Sequence, residues 1–391
     1  MKKNEANECT QETMNKILSI VIPSYNMQDY LPACLDSLVV DDPVLFAALD
    51  IIVVNDGSKD KTSAIAHDYA ARYPDVIRAI DKPNGNYGSC VNRGLAEAKG
   101  TFIKILDADD TFDMAAFKSF IRRLIESEEK NEQVDLFLTD FVWLDANGEV
   151  MKRDRFSLCP NTVLDVDNLS DGPFCLMMHA ITYRTAILHK VGYRQTEGIS
   201  YTDAEWACYP MAGVRRLYYF PHIIYRYLSE RQGQTMESNR YYVKDLPMRG
   251  IRALRMIREL VCEGKEVPLF LARYLQIFVL AAVKGVYVSA ILLHPSRQTA
   301  TYITTFDKEI ERLNPRYHAY LMREGLSPRR VYVPYGRIWA RTHDVFAWDV
   351  RLVRILLALA ARIGYILGGL GRLQNKLLHM VRTRKENVNE N

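Results

Sequence analysis

Four short apolar runs, near residues 18–23, 49–55, 76–80 and 101–106, alternate with stretches of helical periodicity near 29–39, 61–72 and 88–98. That rhythm restricts the first third of the chain to right-handed βαβ units and a parallel sheet buried on both faces. Open sheets of this kind bind ligands beyond the carboxyl ends of their strands. The polar residues collect there: Ser24, Tyr25 and Asn26 after the first run, Asn55 to Ser58 after the second, and Asp107, Asp109 and Asp110 after the fourth.

Three carboxylates where an apolar strand turns suit a divalent metal better than a core, and the competing account is a turn whose Asp residues cap a helix starting near Phe112. The segment Lys82-Pro83-Asn84-Gly85-Asn86-Tyr87-Gly88-Ser89 lets backbone approach a ligand ahead of the helix that carries Asn92, Arg93 and Gly94. It holds neither GxGxxG nor GxxxxGK[ST], which disfavours a dinucleotide cradle and a P-loop, and with them a sugar-1-phosphate nucleotidyltransferase.

In this order, Val21-Ile22-Pro23-Ser24-Tyr25-Asn26, Asn55-Asp56-Gly57-Ser58-Lys59-Asp60, Asn84-Gly85 with Asn92-Arg93-Gly94, and Leu106-Asp107-Ala108-Asp109-Asp110 resemble the nucleotide-binding half of family 2 glycosyltransferases. The resemblance is strong over the first third of the chain and looser to about residue 230. It implies the GT-A fold, an α/β architecture with a Rossmann-like, mostly parallel sheet flanked by helices, here followed by a helical C-terminal region. It also implies a nucleotide site of Pro23, Tyr25, Asn26, Asp56, Asn84, Gly85 and Asp107, with Tyr25 and Asp56 on the base and Asp107 on ribose or sugar. Asp109 would bind Mn or Mg on the diphosphate, since carboxylate and phosphate oxygens suit both cations.

An inverting transferase also needs a base for the acceptor hydroxyl. Ser200-Tyr201-Thr202-Asp203-Ala204-Glu205-Trp206 looks like the family's acidic motif at a helix start, with Thr202 where many relatives carry Glu. Asp203 is the expected catalytic base and Glu205 its competitor, while a helix cap by Thr202 or Asp203 is the alternative account. His179, Glu205, Trp206, Arg231 and Gln234 are the further candidates for an acceptor or diphosphate loop. For His179 a hydrogen-bonded core position competes with an acceptor contact.

With 391 residues the chain exceeds one ordinary core. The expected parts are a polar segment 1–16, a catalytic domain 17–235 with nucleotide half 17–112 and acceptor half 113–235, a helical domain 236–345 and a basic tail 346–391. A strand at 136–144 followed by the turn Asp145-Ala146-Asn147-Gly148 adds a mixed part to the sheet, and long helical patterns fill 241–262, 267–293 and 349–380. Seven cysteines without CxxC and no apolar leader among the first residues point to a cytoplasmic setting.

Residues 349–391 carry eight basic groups against three acidic ones, so the formal charge of +4 arises there. Arg351, Arg354, Arg362, Arg372 and Lys376 share one helical face opposite a leucine-rich one. Contact of 349–385 with the inner membrane surface and packing against the protein itself are the two outcomes for such a helix. The body is not basic and shows no nucleic-acid motif, which argues against a nucleic-acid partner.

The expected activity is metal-dependent, inverting transfer of a sugar from a nucleoside diphosphate donor, a UDP-sugar, to a glycan or lipid-linked acceptor in cell-surface polysaccharide biosynthesis. A non-catalytic nucleotide-sugar or glycan-binding protein on the same fold is the alternative, and donor turnover separates the two.

Overall fold

The computed structural model describes residues 15–169, 176–199, 202–229, 245–261, 269–293 and 296–324. Arg231, Gln234 and the tail helix expected at 349–380 lie outside the described residues. The chain divides into two units, Met1–Arg240 with Arg258–Val279, and Tyr241–Ile257 with Leu280–Asn391.

In the first unit the order is β1 (Leu18–Ser24), α1 (Leu31–Asp36), α2 (Pro43–Ala47), β2 (Leu49–Asn55), α3 (Thr62–Arg72), β3 (Ile77–Asp81), α4 (Asn86–Glu97) and β4 (Phe102–Ile105). Then follow β5 (Thr111–Phe112), α5 (Met114–Glu129), β6 (Leu136–Leu144), β7 (Val150–Asp154), β8 (Val163–Asp165), β9 (Ile181–Arg184), α6 (Thr185–Lys190), α7 (Asp203–Cys208) and β10 (Arg216–Leu228). The sheet runs β3-β2-β1-β4-β9-β6-β10-β5, with β7 beside β6 and β8 beside β10.

Every residue of β1 and β2 is buried, as continuous apolar runs require when helices cover both faces of a parallel sheet. Burying each such Val, Leu or Ile contributes roughly 1.5–3 kcal/mol. The helix α4 lies so close to β1 that a Cβ on Gly94 would stand 2.2 Å from Val21 Cγ1. Beyond β4 the pairing turns mixed: β9 runs antiparallel to β4 and β6, while β10 is parallel to β6. The expected hairpin is present, with Gly148 at φ +82° and β7 antiparallel to β6.

Arg258–Val279 packs within the first unit. There Tyr274 donates its hydroxyl to the Ala207 carbonyl at 2.7 Å, tying α9 (Leu269–Tyr287) to the helix that begins at Asp203. Most of α8 (Leu246–Leu260) falls in the second unit, together with α10 (Arg297–Leu313) and α11 (Pro315–Glu324). In that unit Ser296 and Thr299 form a reciprocal capping box at the start of α10, and Asp307 accepts from Tyr287 and pairs with His318 at 3.1 Å. Among the described residues one helical stretch, Leu271–Ala290, is long and apolar enough to cross a membrane, and 44% of it is buried within the protein.

Candidate active site

Parallel register brings the polar strand ends to one edge. Ser24 stands beside Asn55, Asn55 beside Asp81, and Val21 beside Ile105, so the loops after β1, β2, β3 and β4 emerge together. Asp56 is buried at the centre of this edge, where its Oδ1 accepts from Lys82 Nζ at 2.5 Å and from the Gly85 N–H at 2.9 Å. Asn84 donates to the Asp56 carbonyl at 3.0 Å, closing the glycine-containing loop around the same residue. Tyr25 is 45% exposed beside it.

Pro23 is buried inside β1, and Asn26, at φ +55°, accepts the Lys59 N–H at 2.8 Å to join the loops after β1 and β2.

The acidic turn after β4 is not a helix cap. Asp113 performs that duty for α5, accepting the Ala116 N–H at 3.0 Å, which leaves the three preceding carboxylates to other work. Asp107 accepts the Tyr87 hydroxyl at 2.8 Å. Asp110 is fully buried, held by the Tyr225 hydroxyl at 2.7 Å and the Leu228 N–H at 2.7 Å, and the same Tyr225 oxygen accepts the Asp107 N–H at 3.1 Å. Burial, then the charges of Asp109 and Asp107, raise the Asp110 carboxyl well above the usual range.

Ligand atoms of Asp107, Asp110 and His179 lie within 4.8 Å of one another. His179 is buried among Phe141, Tyr225 and Tyr227, with ring centroids 4.5–5.2 Å away, and its Nδ1 has no hydrogen-bond partner among the described residues. Crowded carboxylates beside a buried imidazole fit a hard or borderline divalent cation, which relieves both the like-charge repulsion and the unsatisfied nitrogen. The sequence assigned the metal to Asp109, which is half-buried in the same turn; the tighter grouping adds Asp107, Asp110 and His179.

Burial, then the Lys104 charge, lowers the His179 pKa to about 3. A folded value below the unfolded one of about 6.5 contributes stability above pH 6.5 that is lost as pH falls toward 3. Between pH 6.5 and 5 the metal-free wild type is therefore expected to lose about 2 kcal/mol relative to His179→Phe. Urea unfolding of both proteins in chelator checks this, and parallel pH profiles contradict it.

Asp203 opens α7 without capping it: Thr202 has no side-chain cap bond, and the exposed Asp203 carboxylate makes no hydrogen bond or ion pair among the described residues. Its charge reaches the acidic turn all the same. Tyr87 is pushed well above its ordinary range by burial, then by Asp107 and Asp203; Tyr227 is raised by burial, then by Asp110, Asp107, Asp109 and Asp203. The helix α4 fixes the approach to α7, because Asn92 exchanges bonds with Gln195 at 2.8 and 2.9 Å and reaches Glu197 at 2.8 Å.

The Glu205 side chain is fully buried and its Oε2 accepts the Thr196 N–H at 2.8 Å, so it braces a loop. Trp206 is fully buried between Tyr183 and Tyr193. Tyr87, Tyr225 and Tyr227 have no role assigned from sequence; the tyrosine within the Asn84–Ser89 loop was the one available signal.

The family model described as glycosyl transferase family 2 matches residues 19–153. EpsJ of Bacillus subtilis, an uncharacterized glycosyltransferase, is 38% identical over 119 residues, 30% of this chain and 32% of its own length. The minor teichoic acid biosynthesis protein GgaB of the same organism is 31% identical over 157 residues, 40% of this chain and 17% of its own. YibD of Escherichia coli, also an uncharacterized glycosyltransferase, is 27% identical over 248 residues, 58% of this chain and 68% of its own. The chain thus spans 32%, 34% and 17% of the first three curated relatives. Among solved structures, S. aureus TarS 1–349 in complex with UDP-GlcNAc matches with a TM-score of 0.60 at 19% identity, over 88% of this chain and 92% of that one. Residues 19–153 thus carry the match to glycosyl transferase family 2, on a mixed sheet with an acidic turn at its carboxyl edge that resembles the GT-A fold.

Proposed function

We propose that this chain transfers a sugar from a nucleoside diphosphate donor, a UDP-sugar, to a glycan or lipid-linked acceptor with inversion of configuration. The observation that carries the proposal is the acidic turn at the carboxyl edge of the sheet, where Asp107 accepts the Tyr87 hydroxyl at 2.8 Å and ligand atoms of Asp107, Asp110 and His179 lie within 4.8 Å of one another. In this reading Tyr25 and Asp56 hold the base, Asp107 orients ribose or sugar, and Asp203 takes the proton of the attacking hydroxyl. Exposure and the absence of competing bonds among the described residues suit Asp203 to accept that proton, and direct displacement requires no covalent intermediate.

Asp109 with Asp107, Asp110 and His179 would hold Mn or Mg, which neutralises charge on a departing diphosphate when bound. Residues 17–235 form the catalytic domain of this proposal. UDP-GlcNAc bound to TarS and the teichoic acid role named for GgaB support a UDP-linked donor and a cell-surface polymer as acceptor. A screen of nucleotide sugars for Mn-dependent hydrolysis and transfer tests it: turnover of a UDP-sugar with an inverted product is expected, and metal-dependent binding without turnover supports the non-catalytic alternative instead.

The proposal places the enzyme in the cytoplasm, on the inner membrane face through 349–385. Flotation with anionic liposomes is expected to fall when 349–391 is removed, and equal flotation of both proteins rejects the membrane contact.

A further inference from the structure

We infer that Lys104 is a positioning residue for the cation site, its ammonium holding the turn that presents His179 to Asp107 and Asp110. The inference rests on reading those three side chains as cation ligands.

The strands β4 and β9 pair only at Phe102 with Arg184 and Ile103 with Tyr183. The paired register stops there, one residue short of Lys104. Lys104 bonds through its side chain instead: its Nζ donates to the His179 carbonyl at 2.7 Å and to the Ile181 carbonyl at 3.1 Å. A two-point grip on alternate residues fixes the rotation of the short helical turn Met178–Ala180, and with it the direction in which the imidazole leaves the backbone. Thr139 adds a weaker bond to the Ala180 carbonyl at 3.4 Å.

Lys104 is fully buried and forms no ion pair with a carboxylate among the described residues. An ammonium is costly to bury without a counterion, and a methionine would fill the same volume without that penalty. What lysine adds is the pair of donors on the His179 and Ile181 carbonyls. Tyr225 connects Lys104 to the acidic turn, with its ring 5.7 Å from the ammonium and 4.7 Å from the His179 ring, and its hydroxyl on Asp110. Removing Lys104 therefore loosens the imidazole without touching any group that meets substrate.

The test is titration of the full chain with Mn(II) alone, free ion being read by electron paramagnetic resonance. Lys104→Met is expected to weaken Mn(II) binding about 10–100-fold, as losses of residues that orient a ligand do. Lys104→Arg, which keeps the charge and donors, should stay within about threefold of wild type, and Lys104→Met in a His179→Ala background should add less than about threefold, because both act through one imidazole. A merely structural lysine would lower the metal-free melting temperature yet leave Mn(II) affinity of the folded protein intact. Should Lys104→Met fail to fold by near-ultraviolet circular dichroism, Lys104→Gln, with donors for one carbonyl, takes its place with the same expectation of weakened binding. Wild-type affinity in the neutral variant, or losses that multiply in the double variant, overturns the inference alone. Wild-type protein that binds no Mn(II) overturns the cation reading and this inference with it.

Discussion

Replacing Asp203 by Asn is expected to lower sugar transfer by about 10²–10⁴-fold, the range over which general bases act. The substitution keeps size and shape and removes only the ability to take a proton. Because the carboxylate is exposed and makes no bond among the described residues, stability should change by no more than about 0.5 kcal/mol, so lost activity cannot be assigned to misfolding. Donor affinity should also hold, since the base and diphosphate groups lie on the strand edge and not on α7. Initial rates against acceptor concentration, with nucleotide affinity measured alongside, give the split: a fall in kcat with donor binding intact is expected. Undiminished transfer by folded Asp203→Asn removes this residue from the mechanism. Glu205 is a poor substitute in that event, buried and bonded to Thr196 as it is.

The second large effect belongs to the acidic turn. Asp109→Asn is expected to cost more than about 100-fold in metal-dependent turnover and to raise the Mn concentration for half-activation. The turn has no alternative employment as a helix cap, because Asp113 caps α5, and burial together with repulsion from Asp109 and Asp107 raises Asp110. Neutralising one member relieves repulsion, so the apo protein should be no less stable than wild type while the loaded one is far less active. That opposition of stability and activity is the diagnostic. A loss under tenfold would shift the cation to the Asp107, Asp110 and His179 grouping without Asp109.

The nucleotide half was legible in the sequence because its physics is local. Continuous apolar runs specify parallel strands, and once β1, β2, β3 and β4 are parallel, Ser24, Asn55, Asp81 and Asp107 must share an edge. The sheet beyond β4 was legible only as a mixed part. That β9 inserts between β4 and β6, carrying His179 to within ligand distance of Asp107, depends on contacts between residues more than seventy positions apart, and no periodicity encodes them. Which Asp caps α5 was open in the sequence for a related reason. Asp107, Asp109, Asp110 and Asp113 are all plausible caps by composition, and only the backbone decides that Asp113 takes the role. Six residues of α7 are too few to reveal which face is buried, and packing against Tyr183 and Tyr193 is what buries Trp206.

The account depends on a cation seated at the turn after β4 while a nucleotide lies along the strand edge. Crystals of the full chain grown with UDP and Mn, with data collected at the manganese absorption edge, address it directly. One anomalous peak within coordination distance of the Asp107–Asp110 turn, touching the diphosphate, is the predicted result. A bound nucleotide with no peak at that turn, or a peak elsewhere on the molecule, would contradict it.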